Sequence, residues 1–393
     1  MNIGCATATS SSVDDPAEAS EEIVQAIHRK LTLGASSVGI LFCSSDFNLT
    51  ELASALQSRL AFSIIGCTTY SEATEDGYTT ASASLMVLTS DALAIGIGLG
   101  EGLRADVAGA VGNAYDEARA ALGSEPKLII TFPDAGLACL GEDVILEIEK
   151  KNAGRAPVFG GCPADGGKYQ QTFQICGGKV YSDSIPILML GGDINPIIVT
   201  RSGWIPLGAR ARATKVSGNR LLEVDGQPAI EYLQRYIGAT DDPDVLGTYP
   251  IAMLDERLGE DAGRFFVMRS PFSYDKESGS IELGGQILPG AVIQLARGTR
   301  DDILGGVSAA VSKLAERAGG RELACVLFVS CGARKLMLGM AAEREVSLIR
   351  GALPGGLPIA GFYSYGEIGA IDSMDERLRD TRYHNTTLVL CAI

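Results

Sequence analysis

This 393-residue sequence predicts an α/β protein of α+β-like type, with mixed, partly antiparallel sheets covered by helices. Three observations carry that prediction. First, Val38–Glu72, Leu128–Gly167 and Cys325–Ile368 repeat one plan: an apolar run ends in small or polar residues, a helix follows, and a Gly-punctuated strand returns. Second, runs such as Val38–Phe42 and Ile185–Leu190 are short and wholly apolar, as strands covered on both faces are. Third, 48 glycines beside only 6% aromatic residues favour tightly turned layers over aromatic-lined grooves.

Taken in order, Pro16 opens a helix with Ile23, Ala26, Ile27 and Leu31 on its apolar stripe and with Arg29 and Lys30 near its end, where the macrodipole favours cations. Asn48-Leu-Thr-Glu51 has the form of a capping box before a second helix. A return strand over Phe62–Cys67, a half-buried strand over Thr79–Leu88 and a strand over Leu93–Leu99 follow. The glycines of Gly96–Gly102 interrupt that last strand and do not open a helix, so they do not form a phosphate loop. Asp106–Leu122 is a helix stopped at Gly123. Thr172–Gly192 reads as hairpins turning at Gly177-Gly178, and residues 214–228 as the crossover between two domains. Pro228 opens another helix, Thr240–Asp244 is a loop, Phe265–Met268 and Gln286–Ala296 are strands, and Asp301–Ala318 is a helix. The chain ends in an apolar strand after His384.

Composition excludes some functions. The net charge of −15, with no run of five basic residues, argues against nucleic acid and anionic membrane surfaces. No apolar run reaches the ~18 residues that a membrane span needs, and no basic leader is evident. Nine dispersed cysteines without a C-x-x-C pair read as free thiols. The expectation is a cytoplasmic protein without membrane insertion.

Several motifs together resemble the FIST sensory proteins, which pair an N-terminal with a C-terminal FIST domain. They are Cys331-Gly-Ala-Arg334, Glu343 and Glu345 on the following helix, Pro358-Ile-Ala-Gly361-Phe-Tyr-Ser-Tyr365-Gly-Glu367 and His384-Asn385-Thr-Thr387, with Ile65-Gly-Cys-Thr-Thr69 and Phe159-Gly-Gly-Cys-Pro-Ala-Asp165 in the first half. The resemblance implies domains over 20–213 and 228–393 and a ligand-sensing role rather than catalysis. It implies a small ligand, with amino acids proposed for the family. It also implies a separate signalling partner: a histidine kinase, a chemotaxis protein or a cyclic-dinucleotide enzyme. Some members bind haem and sense nitric oxide, so haem is a possible cofactor here; the cofactor is otherwise unknown.

The residues themselves suggest a site. In a continuous strand Gly361, Tyr363, Tyr365 and Glu367 share one face. Glu367 and the tyrosine rings suit an ammonium, and Arg334 on the preceding loop suits a carboxylate, so the two ends of an amino acid would be matched. Equally, Arg334 pairs structurally with Glu343 or Glu367. Tyr70 and Glu72 repeat Tyr365 and Glu367 with the same spacing from Gly66 and Gly361. The expected ligand-binding set is Cys331, Arg334, Glu343, Tyr363, Tyr365, Glu367, Asn385, Tyr70 and Glu72. No catalytic residue is expected, because a Cys331 nucleophile needs a base and only His28 and His384 exist; an enzyme on a small carboxylated metabolite is the contrasting possibility. Haem, if bound, would take His384 as axial ligand.

Overall fold

A computed structural model describes residues 3–240, 243–254, 256, 266–371 and 380–393. One unit occurs three times. The first contains β1 (Gly4–Ser10), α1 (Pro16–Lys30), β2 (Ser36–Ser44), α2 (Leu49–Arg59), β3 (Ile64–Thr69), the hairpin β4 (Glu72–Thr74) and β5 (Gly77–Thr79), and the return strand β6 (Ala83–Ser90). The second contains β7 (Ala94–Glu101), α3 (Val107–Leu122), β8 (Leu128–Thr131), α4 (Gly141–Asn152), β9 (Val158–Gly161), the hairpin β10 (Gln174–Cys176) and β11 (Lys179–Tyr181), and β12 (Ser184–Gly191).

The third opens with β13 (Ile197–Arg201) and is then interrupted. The inserted segment holds β14 (Ile205–Ser217), β15 (Arg220–Val224), β16 (Gln227–Pro228), α5 (Ala229–Ile237), α6 (Pro243–Gly247), β17 (Ile251–Leu254), β18 (Phe266–Arg269), β19 (Pro271–Tyr274), β20 (Ile281–Leu283) and β21 (Val292–Arg297). The unit resumes with α7 (Arg300–Ala318), β22 (Val326–Cys331), α8 (Gly332–Leu338), α9 (Ala342–Gly351), β23 (Ile359–Ser364), the hairpin β24 (Glu367–Ala370) and β25 (Thr381–His384), and β26 (Leu388–Ala392).

Each unit forms four strands of a six-stranded sheet and takes the last two from another unit. The orders are β1-β6-β2-β3-β10-β11, β7-β12-β8-β9-β24-β25 and β13-β26-β22-β23-β4-β5. The first unit's hairpin therefore lies on the third sheet, the second's on the first, and the third's on the second. Within each sheet the two middle strands run parallel, β2 with β3, β8 with β9 and β22 with β23, and their other partners are antiparallel. A short helical crossover of a βαβ unit makes the parallel pair. The inserted strands form a fourth sheet, β18-β17-β21-β14-β15-β20-β19, with β16 on β15. Residues 214–228 thus lie within and beside this sheet, along β14, β15 and β16.

The three large sheets turn their inner faces to one another. Their shared core takes Ile40, Ile65 and Met86 from the first unit, Ile130, Phe159 and Leu188 from the second, and Leu327, Ala360 and Val389 from the third. Phe42, Phe132 and Phe362, one from each unit, meet with ring centroids 5.4, 4.6 and 5.9 Å apart, in tilted and edge-on contacts that aromatic quadrupoles favour. The outer faces are covered by α1 and α2, by α3 and α4, and by α7 and α9. Both faces of the central strands of these sheets are therefore buried. The strand predicted as half-buried is β6, and every residue of it is buried for that reason.

Local chemistry sets the helices against these sheets. Asp15 and Asn48 cap α1 and α2 by accepting from Glu18 N and Glu51 N, at 2.9 and 3.3 Å, although the Glu51 carboxylate receives the Asn48 side-chain amide rather than its backbone N–H. Gly96, Gly98 and Gly100 do not interrupt β7. A Cβ at these positions would lie 2.0, 2.1 and 1.9 Å from the Ala118, Ala114 and Ala110 carbonyl oxygens, so glycines every second residue let α3 sit directly on the strand. The expected loop Thr240–Asp244 overlaps the short helix α6 at Pro243 and Asp244; residues 241–242 and Phe265 lie outside the described residues.

The Phe42–Phe132–Phe362 contact joins all three units, so Phe132→Ala is expected to cost about 3–5 kcal/mol. It should lower the midpoint of one shared denaturation transition. A variant that lost only part of the structure, in a separate early transition, would show that the units do not depend on a common centre.

Candidate functional site

After β3, β9 and β23 the chain leaves one sheet and enters the next, and the three crossings hydrogen-bond to one another in a ring. Tyr70 N donates to Tyr363 O at 2.9 Å and Tyr363 N to Ser71 O at 3.0 Å. Tyr365 N donates to Cys162 O at 3.2 Å and Cys162 N to Gly366 O at 2.7 Å. Ala164 N donates to Thr68 O at 2.9 Å and Gly166 N to Thr69 O at 3.1 Å. Beside them the residues ending or just following the central strands repeat one bond: Ser44 N to Ser82 O, Asp134 N to Ser184 O and Cys331 N to Thr387 O, at 2.8, 2.9 and 3.0 Å.

This geometry corrects the single-face reading of Tyr363, Tyr365 and Glu367. The strand stops at Ser364, Tyr365 and Gly366 cross, and Glu367 begins β24 in a different sheet. Glu367 is fully buried. Its carboxyl accepts from Ser364 Oγ at 2.8 Å, Thr387 N at 3.0 Å and Thr387 Oγ1 at 2.8 Å. Glu72 repeats the arrangement, buried and accepting from Thr69 Oγ1 and from Ser82 Oγ at 2.6 Å. Burial outweighs these hydrogen bonds and pushes both carboxyls up to about 7.

The register identifies a third member that the sequence hid. Glu72 pairs with Phe362, Glu367 with Gly161, and Gln174 with Cys67, in the same place on each sheet. Gln174 is also buried and accepts from Ser184 Oγ at 2.8 Å. The connection before it, residues 162–173, is longer than 68–71 and 363–366, which masks the correspondence.

That longer connection fills the end of the ring. Asp165 accepts from Tyr365 Oη at 2.5 Å and from the backbone N–H of Tyr169, Gln170 and Gln171 at 2.9, 2.7 and 3.0 Å. Burial opposes its charge, but the Tyr365 hydroxyl and these amides prevail and hold its carboxyl below the usual range. The exposed Tyr169 ring stacks on Tyr365 with centroids 4.6 Å apart. Gly167 N donates to the Tyr365 hydroxyl at 3.0 Å, and the Gly167 backbone lies against the Tyr70 ring. Lys335 Nζ stands 3.6 Å from the centroid of that ring. Lys335 is half-buried, and burial pulls its ammonium down from the ordinary value against the opposing attraction of the Glu72 carboxylate, but no carboxylate lies within ion-pairing distance of it among the described residues. Lys168, at the rim, pairs with Asp46 at 2.7 Å.

The other expected residues are elsewhere. Arg334 is fully buried and pairs with Glu345 at 3.3 Å, not with Glu343 or Glu367; it also donates to Ser330 Oγ at 3.1 Å and to the Ser202 carbonyl. An enclosed guanidinium needs an enclosed counter-charge, and Glu345 is buried beside it. Tyr363 packs its ring against Tyr78, and Glu343 is exposed on α9. Asn385 accepts from Ser270 N at 3.4 Å and so ties the inserted segment to the third unit. The Cys331 thiol is buried beside Glu367 and pushed well up by that burial. His384 is buried, its Nε2 lies 3.1 Å from Gly369 O, and burial lowers it to about 3. These surroundings do not suit a haem ligand, because one ring nitrogen meets a carbonyl and the other is enclosed. Among the described residues no group of three His, Cys, Asp or Glu side chains is arranged to hold a metal.

Of the residues expected from sequence, Tyr70 and Tyr365 lie at the ring of crossings; Lys335, Asp165, Tyr169 and Gln174, which lie there too, were not among them. Only Asp165 stood in a motif that had been singled out.

Comparison with known proteins finds two adjoining family matches along the chain. Residues 37–227 match the FIST N domain and residues 229–370 the FIST C domain. An uncharacterized protein of Mycobacterium bovis is 30% identical over 181 residues, 44% of this chain and 45% of its own. One of Mycobacterium tuberculosis is 27% identical over 184 residues, covering 44% and 46%. One of Methanocaldococcus jannaschii is 36% identical over 81 residues, covering 21% and 15%. The chain matches less than half the length of each. A cyanuric acid hydrolase from A. caulinodans superposes over 100% of this chain and 99% of its own, at 11% identity and a TM-score of 0.35, too weak a likeness to carry any argument. No helix among the described residues is long and apolar enough to cross a membrane.

The two raised carboxyls predict a pH dependence of stability. Each has an ordinary value of 4.5 and a folded value of about 7, so the folded state holds the proton more tightly. Their contribution is complete below the ordinary value and is lost as pH rises through 7, by about 3 kcal/mol per group. Glu367→Gln, which copies Gln174, should remove its share of that loss and stabilise the protein at about pH 8 relative to about pH 5. Urea denaturation at both pH values would read this; an unchanged difference would contradict it.

Proposed function

The chain belongs to the FIST family of sensory and signal-transduction domains, and on that footing we propose that it is a cytoplasmic sensor of a small carboxylate-bearing ligand, an amino acid in the simplest case. The single observation behind this reading is Lys335: a half-buried ammonium over the Tyr70 ring, with no ion-paired carboxylate among the described residues, at the end of the ring of crossings. A desolvated cation without its counter-ion is suited to take one from a ligand. The ligand carboxylate meets Lys335. The stacked Tyr169 and Tyr365 rings receive the rest of the molecule, an ammonium included, through their faces. Arg334 and Glu367, each already satisfied, serve the scaffold instead.

Binding rather than catalysis is favoured by the same chemistry. Burial keeps the Cys331 thiol protonated, and no histidine is its hydrogen-bond partner among the described residues. The response passes to a separate signalling protein, such as a histidine kinase, a chemotaxis protein or a cyclic-dinucleotide enzyme.

Calorimetry with a panel of amino acids and small carboxylates tests the reading. At least one should bind, and Lys335→Ala should weaken it tenfold or more, about 1.4 kcal/mol. Tight binding that survives Lys335→Ala, or that is lost in Arg334→Met with the fold intact, would move the site away from the ring.

A further inference from the structure

A second feature lies away from the ring, along α9. Two surface hollows of about 400 and 450 Å3 adjoin at Ser347. Arg300, Met340, Glu343 and Arg344 line one, and Arg350 lines the other beside the turn Pro354–Gly356. Glu343, Ser347 and Arg350 recur at helical spacing, as do Arg344 and Leu348, so the hollows form one groove along the outward side of α9. Arg344 and Arg350 have no hydrogen-bonding or ion-pairing partner among the described residues, and Arg300 gives only its Nε, to Met337 O at 3.0 Å. Elsewhere on this acidic chain Arg104, Arg119, Arg212 and Arg220 are ion-paired, and exposed arginines that also lack an ion-pairing partner among the described residues, such as Arg29, Arg210 and Arg235, do not line these hollows. Beside the arginines stand exposed apolar side chains: Met340 fully, Leu348 in part.

We propose that this groove is the docking face for the signalling partner, and that the partner presents an acidic amphipathic segment to it. Charge complementarity selects the occupant. Guanidiniums left without counter-ions on a chain of net charge −15 attract carboxylates, and a flexible methionine suits an apolar side chain of a docked helix. A basic partner would meet the acidic remainder of the surface and leave these arginines unpaired. The inference rests on the reading that the output lies in another chain. The groove joins ring to partner through α8 and α9, since Lys335 lies on α8 and Arg344 on α9, with Gly339–Ala341 between them.

The probe is a fluorescently labelled synthetic amphipathic peptide of about 14 residues, with glutamates and leucines at helical spacing, long enough to span the 10-residue α9. A second peptide has lysine for each glutamate. Fluorescence anisotropy with the full chain should show binding of the acidic peptide alone, weakened tenfold or more by Arg344→Glu with Arg350→Glu and by raised salt. Amino-acid binding by calorimetry should be unchanged in that double variant, and peptide binding unchanged in Lys335→Ala, so failure of the ligand reading and failure of the docking reading are told apart. Equal affinity for both peptides, no effect of the double variant, or displacement of the peptide by inorganic phosphate at the peptide's own concentration would overturn the proposal; the last would make the groove a small-anion site.

Discussion

The structure depends on the exchange of hairpins between the three units. Each central sheet is completed by two strands from a neighbouring unit, and the exchange runs in one direction until it closes. A four-stranded unit alone would leave the edges of β3, β9 and β23 open, with unpaired amides and carbonyls. Closing the cycle pairs those edges and buries three inner faces against one another around Phe42, Phe132 and Phe362. The crossings that carry each hairpin to its neighbour must then pass close together, which is why they bond in a ring. The ligand site proposed above is the surface of that ring, so scaffold and site share one cause.

The buried polar groups follow from the same constraint. At each crossing the first residue of the hairpin is enclosed, and a polar side chain there receives a hydroxyl from the residue before or at the start of the return strand: Ser82, Ser184 or Thr387. Two units use glutamate and one uses glutamine. The repeat has therefore kept the hydrogen bond while letting the charge vary. Arg334 with Glu345, and Arg269 with Glu142, act differently, since they fasten the inserted sheet and its flanks to the ring of units. Arg269 also donates to Gln286 O and Tyr383 O, at 2.6 and 3.2 Å. Removing Arg334 would leave the buried Glu345 carboxylate unpaired, and removing Arg269 the part-buried Glu142, so their loss would be felt as lost stability before any loss of binding.

Much of the fold was legible because it is local. The strand–helix–strand copies, the helix beginning at Pro16, the stop at Gly123 and the turn at Gly177-Gly178 each rest on periodicity and capping within a short window. The exchange was not legible, because the partner of β4 lies in β23, nearly the whole chain away, and no local pattern encodes it. That one long-range fact accounts for part of what was misread. It split Tyr363 from Glu367, and the packing of the three sheets buried β6 on both faces; Arg334 went to Glu345 for a local reason, since the two lie on the consecutive helices α8 and α9. Tyr70 and Tyr365 could be matched to each other in the sequence because the first and third units kept the same short crossing. Asp165, Tyr169 and Gln174 did not show this match because the second unit replaced that crossing with a longer loop, and Lys335 did not stand out because a lysine on a helix ordinarily faces water.

The ring of crossings as a ligand site is the central claim, and native mass spectrometry of the freshly purified chain tests it most directly. The account predicts a co-purifying small carboxylate on the wild-type protein and its absence from an equally folded Lys335→Ala variant. The same molecule retained by both proteins, or a bound haem in place of it, would contradict the account.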